Sequence, residues 1–174
     1  MDALLALRRW LMRLVGVCAG LAALAILVSS LSITYGVFMR NVFLRSTTWE
    51  LEGAVYAVIL ATFYAAAYTH ASGGQVAIEI LHQALPPRWR RLQRLLLDLL
   101  AALFFGFVAW SAWGEAFNAF TEGWRSDTMW GPPLWPVYSA LPLGCGLLTV
   151  LLLIDVALRA AGTEPPEPGR RAGR

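Results

Sequence analysis

The side chains able to do chemistry are few, and their placement says more than their number. The two cysteines, Cys18 and Cys145, each sit inside an apolar run with no second thiol nearby. Disulfide exchange needs an attacking thiolate beside a partner thiol, so that chemistry is excluded. The two histidines, His70 and His82, fall at or beyond the end of an apolar run. A transmembrane dihaem centre needs axial ligands within its helices, so a haem cytochrome is excluded as well. No His, Cys and carboxylate residues share metal-ligand spacing, and no cofactor is expected. Two acids lie just inside apolar runs, and each has an arginine four residues away: Arg94 with Asp98, and Asp155 with Arg159. Four apart is one helical turn, so each acid is expected to pair with the arginine on its own helix, as a terminal charge and not part of a proton relay.

The elements that must carry these residues follow from how little charge there is. Of 174 residues, 58% are hydrophobic and 14% charged, and the mean hydropathy is +0.58. Soluble domains carry about 25% charged residues. A chain this short buries only about 70% of its unfolded surface, so a water-soluble monomer is excluded. The net charge of +3 is too small to indicate nucleic-acid binding. No charged residue occurs from Leu14 to Met39, a run of 26. About 20 helical residues cross the hydrocarbon core, so this run spans with room for tilt and is too long for a signal-peptide core. Similar runs follow. The reading is an all-α integral membrane domain over residues 1–160, with four transmembrane helices at residues 14–38, 50–71, 95–117 and 134–157.

Orientation follows from the arginines. With four spans both termini share one side, and that side holds eleven of the fourteen arginines, against Arg40, Arg45 and Arg125 opposite. The positive-inside rule predicts cytoplasmic termini. Trp10 and Trp89 then fall at the cytoplasmic boundary, and Trp49, Trp113 and Trp135 near the outer one, as amphipathic rings prefer. Trp110, Trp124 and Trp130 make the outer face richer than anchoring needs, which points to a partner there.

The connections are informative too. Gly73-Gly74 suits the end of the second helix. Residues 76–85 place Ala77, Ile80, Leu81, Ala84 and Leu85 on one face and Glu79, His82 and Gln83 on another. This predicts a short amphipathic helix at the cytoplasmic interface over residues 76–94, interrupted at Pro86-Pro87, with Pro87 suited to a first helical turn. Arg88, Arg91 and Arg94 follow at helical spacing, placed for anionic lipid headgroups or a docked partner. Residues 115–130 form the longest outer polar stretch and lead into Gly131-Pro132-Pro133-Leu134-Trp135-Pro136, which cannot be helical throughout. Pro142 is expected to kink the fourth span and could open a groove for a neighbouring helix. Gly16 and Gly20 have the small-xxx-small spacing of closely packed helices. Residues 161–174, rich in Pro, Gly and charge, are expected to be a disordered cytoplasmic tail.

Taken in order, these patterns resemble a known family. Arg40-Asn41-Val42-Phe43 is similar to an Arg-Tyr/Asn-x-Phe segment, and Trp49-Glu50-Leu51-Glu52 to a Trp-Ser/Thr-Glu-Glu segment with Glu52 on the second acid. Gly74-Gln75-Val76-Ala77-Ile78-Glu79 with Leu85-Pro86 resembles Gly-x-His-Ile-x-Val-Asp…Leu-Pro, with Gln75 and Glu79 replacing the usual His and Asp. Ser126, Pro133-Leu134-Trp135, Tyr138 and Pro142-Leu143-Gly144 follow a Ser…Pro-x-Trp…Pro-x-Gly signature. All belong to the small (Q-type) permease subunit of tripartite ATP-independent periplasmic (TRAP) transporters, and the resemblance covers about residues 8–160.

The resemblance implies a non-enzymatic scaffold, or stator, in the bacterial inner membrane. Its implied partners are a large multi-span permease subunit, which carries the substrate and sodium sites, and a periplasmic solute-binding protein that delivers an organic-acid-like solute. It implies structural or docking roles for Arg40, Asn41, Trp49, Glu52, Glu122, Arg125, Ser126, Asp127, Pro133, Trp135, Pro142 and Gly144. Arg40 and Glu52 would position the first outer loop; Glu122, Arg125 and Asp127 would meet the binding protein. The alternative classes are a stand-alone membrane enzyme or redox subunit, for which no ligand or nucleophile set is found, and a self-associating membrane-organising protein, which rests on Gly16 and Gly20 alone.

Overall fold

A computed structural model describes residues 2–44, 48–72 and 87–161. They form four helices: α1 (Asp2–Val42), α2 (Trp49–Ala71), α3 (Pro87–Thr121) and α4 (Trp135–Ala160). All four are long and apolar enough to cross a membrane. A helix satisfies its backbone polar groups internally, which is what a segment in hydrocarbon requires. Its few hydroxyls are absorbed the same way: Thr34, Thr62, Thr69 and Thr149 each donate to the carbonyl four residues back.

Each of the four expected spans falls on a helix, and α1 and α3 run well beyond the expected bounds. α1 begins at Asp2 and α3 at Pro87, because charge scarcity marks what lies in lipid and not where a helix starts. Arginine is a good helix former and prolongs both helices beyond the apolar run. Residues 87–94, expected within an interfacial helix, are therefore the first turns of α3, with Pro87 at the first position, where an N–H would have no partner within the helix. The remainder of that expected segment, the Gly73-Gly74 cap and the expected tail beyond Ala161 lie outside the described residues.

The helices alternate in direction. One end of the molecule, the terminal end, carries the start of α1 and the end of α4; the other, the loop end, carries the end of α1, the start of α2 and the α3–α4 connection. α4 is the central post. Half of its most apolar stretch is buried, against 6% for α3, the most exposed helix. α1 packs along α2, α2 on α4, and α3 on the opposite flank of α4, while α2 and α3 share no extensive contact. The apolar core lies toward the terminal end: Leu11 and Val15 of α1, Ala67 and Ala71 of α2, Ala102 of α3, and Leu148, Leu151, Leu152, Ile154 and Leu158 of α4.

The α1–α2 seam is built differently. Arg8, Val15, Ala22, Ser29 and Gly36 are buried at every seventh position of α1. Opposite them α2 buries Glu50, Ala54, Ala61, Ala67 and Ala71. A seven-residue repeat keeps one seam facing the partner helix. Small side chains on both surfaces let the backbones approach, which favours association where lipid is as apolar as the protein. Ser29 adds an interhelical hydrogen bond, donating to the Ala54 carbonyl at 3.2 Å. Gly16 and Gly20 are not on this seam; a Cβ built on either meets nothing within 4 Å. The close approaches occur instead at Gly36 and Gly144.

Candidate functional site

Buried charge gathers at the terminal end. Arg8 Nε donates to Asp155 Oδ1 at 2.9 Å, and His70 Nε2 lies 3.5 Å from Asp155 Oδ2. Arg8 and Asp155 are 7% and 6% exposed, so one carboxylate joins α1, α2 and α4 inside the protein. Asp98 of α3 pairs with Arg159 of α4. The expected pairings along a single helix, Arg94 with Asp98 and Asp155 with Arg159, are thus replaced by pairings between helices. Helical spacing makes a local pair possible. Such a pair near the membrane would leave both charges facing lipid, whereas an interhelical pair removes both from it. Arg94 is half-buried, and Arg88 and Arg91 lie in the first turns of α3.

At the loop end, residues 122–134 fold into a short hairpin instead of a loose loop. Ser126 N–H donates to the Pro132 carbonyl at 3.0 Å, and Leu134 N–H to the Trp124 carbonyl at 2.9 Å. Arg125 and Pro133 face each other in an antiparallel bridge. Gly131, with φ of 55°, makes the turn in a conformation that side-chain-bearing residues adopt only with strain. Six residues singled out by the sequence (Glu122, Arg125, Ser126, Asp127, Pro133 and Trp135) are therefore parts of one hairpin or of the helix start that follows it. Trp124 packs edge-on against Tyr138, and Phe120 edge-on against Trp135, which fastens the hairpin to the ends of α3 and α4.

The hairpin is also tied to α2. Thr128 Oγ1 donates to Glu52 Oε2 at 2.6 Å, and the Trp130 ring lies over Gly53. Glu52 therefore holds the α3–α4 connection; residues 45–47 of the α1–α2 connection lie outside the described residues. Glu122 accepts the Trp124 indole N–H at 2.7 Å, the Arg125 guanidinium lies 3.5 Å from the Gly131 carbonyl, and Asp127 is exposed. Met129 at the tip is 95% exposed.

Near the end of α1, the Arg40 and Asn41 side chains fold back on their own helix, donating to the Gly36 and Val37 carbonyls at 3.4 and 2.9 Å. Trp49 packs against Tyr35 across the α1–α2 seam. One residue that the sequence left without a role is Glu50, which is 1% exposed. Its side chain fills the space beside Gly36, where a Cβ would lie 2.4 Å from Glu50 Cγ. The only sequence signal was a pair of acids opening a helix. That Gly36 receives one of them is a tertiary fact.

α4 runs unbroken through Pro142, which is buried. Two residues on, Gly144 lies against α2 so closely that a Cβ would come within 2.5 Å of the Phe63 carbonyl oxygen. Pro142 and Gly144 therefore mark where α4 meets α2. Beside that crossing, between α2 and α3, a lateral groove of about 480 Å³ opens over α4.

Among the described residues, no group of three or more His, Cys, Asp or Glu is placed to hold a metal ion. Comparison with curated proteins and with solved structures returns no match. Residues 29–162, about three-quarters of the chain, match a family described as "Tripartite ATP-independent periplasmic transporters, DctQ component". That stretch includes the seam at Gly36 and Glu50, the hairpin and the α2–α4 crossing. The chain belongs to the DctQ family, the small-subunit component of TRAP transporters.

Proposed function

We propose that the chain is the scaffold, or stator, subunit of a sodium-coupled TRAP importer of organic-acid-like solutes. It would work in the bacterial inner membrane, with both termini cytoplasmic, as the arginine distribution favours. A large multi-span permease subunit would carry the substrate and sodium sites and do the moving. A periplasmic solute-binding protein would deliver the solute. The observation that supports a static role is the use of the buried polar groups: Arg8, His70, Asp155, Asp98 and Arg159 hold helices to one another. Rigid interhelical ties suit a part that stays still while another moves. The broad exposed apolar faces of α1 and α3 suit a membrane footprint shared with lipid and a larger subunit.

The hairpin is the proposed periplasmic docking surface, with Arg125 and Asp127 exposed on it and Glu122 at its base. Arg88, Arg91 and Arg94 are proposed to meet anionic headgroups or the partner at the cytoplasmic face. The decisive experiment is affinity purification of the tagged chain from its native membrane. Co-purification of a larger multi-span protein is expected, with solute uptake in liposomes only when both are present. Sodium-driven uptake by this chain alone would overturn the stator reading. Charge reversal at Arg125 and Asp127 is expected to weaken binding-protein association without dissolving the membrane complex, measured by pull-down.

A further inference from the structure

We propose that the groove between α2 and α3 is a binding site for one phospholipid bearing an ammonium headgroup, held by Glu115 in the leaflet at the loop end. The groove exists because α2 and α3 pack on different flanks of α4 and leave its face between them uncovered. Phe63 of α2, Phe107 of α3 and Leu141 of α4 line its apolar part, and Ser111, Glu115 and Tyr138 add polar groups. Phe107, Ser111 and Glu115 are spaced by four, so they form one stripe along α3.

Depth argues for a lipid. From Phe107 to Glu115 the helix rises about 12 Å, close to the ~15 Å half-thickness of the hydrocarbon core. Glu115 lies about two turns inside the end of α3, and Tyr138 is in the first turn of α4, which places both near the headgroup boundary.

Charge decides the headgroup. An acyl chain gains little by leaving bulk lipid for an apolar groove, since both are hydrocarbon. Selectivity must come from the polar end. None of the described ion pairs involves Glu115. A carboxylate at the margin of a low-dielectric site favours a hydrogen-bonding cation, and an ammonium headgroup supplies one. The Tyr138 ring, braced by Trp124, forms a firm rim beside it.

The test is native mass spectrometry of the full chain, with any co-purifying partner, released from nanodiscs of equal phosphatidylethanolamine and phosphatidylglycerol. One tightly retained phosphatidylethanolamine is expected. Glu115→Gln should lower that retention by about threefold or more, the size of a partly exposed charged contact, and Glu122→Gln should not. Leu141→Trp, checked for an unchanged melting temperature, should abolish retention by filling the groove. Equal retention of both lipids, or unchanged retention in Glu115→Gln, would overturn headgroup recognition. Near-complete cross-linking of a Ser111→Cys variant to another protein in native membranes would overturn a lipid occupant.

Discussion

Asp155 is the residue on which most of the terminal end converges, since it accepts from Arg8 and lies beside His70 within a nearly closed site. Removing one member of a buried pair leaves the other charge without compensation, which is typically destabilising by about 3–5 kcal/mol. Asp155→Asn is therefore expected to lower stability by that order in a reversible unfolding titration in bicelles. The double change Arg8→Met with Asp155→Leu should recover most of the loss, because it removes the charge as well as the pair. Gly36 is the counterpart at the loop end. Gly36→Ala drives a methyl into Glu50, and overpacking of this kind costs about 1–3 kcal/mol. Combining it with Glu50→Ala should restore part of the stability in the same assay, whereas Gly20→Ala, which meets open space, should leave it near the starting value.

At the scale of elements, the hairpin is the part whose order depends on few contacts. Thr128 with Glu52 is its one described hydrogen bond to α2. A partly exposed hydrogen bond to a carboxylate contributes about 0.5–1 kcal/mol. In a double-mutant cycle, Glu52→Gln and Thr128→Val are expected to show coupling of that size, with faster amide exchange across residues 124–134 and unchanged exchange in the α1–α2 seam. Gly131→Ala should loosen the same hairpin by about 1 kcal/mol through backbone strain alone, since its Cβ would meet the Ser126 and Thr128 carbonyls only at 3.7 Å. α3 depends on its pairing with α4. Asp98→Ala is expected to increase proteolysis near the start of α3, because Arg159 then loses the charge that binds the two helices there.

For the whole molecule, the open arrangement is the main consequence of the packing. α4 touches the other three helices, α3 is covered on one flank only, and the core thins toward the loop end. In water such exposed apolar area would drive aggregation; in a membrane it is the contact surface. The proposed orientation is tested by labelling. In a Cys18→Ala, Cys145→Ala background, Asp127→Cys is expected to react with a membrane-impermeant maleimide in intact cells. Labelling only after lysis would invert the topology.

How much of this was legible in the sequence depends on the range of the interaction. The four spans could be read because each is a local property: a run of apolar residues long enough to cross hydrocarbon has one stable backbone conformation there. The position of the hairpin could be read because proline and glycine forbid regular helix at Gly131 through Pro133. The order of local motifs was enough to point to the family. Boundaries were less legible, since arginine and proline let α1 and α3 extend past the apolar runs. Partners were not legible at all. Asp155 sits one turn from Arg159, yet meets Arg8, which is 147 residues away. Glu50 gave no local sign that Gly36 would receive it. The small-residue pattern at Gly16 and Gly20 looked like a packing surface, but the close approaches fell at Gly36 and Gly144. Sequence by itself determined which segments enter the membrane, because that is set by each segment's own transfer free energy. Only the tertiary structure decided which charges meet and where a groove is left, because those depend on which face each helix turns toward its neighbours.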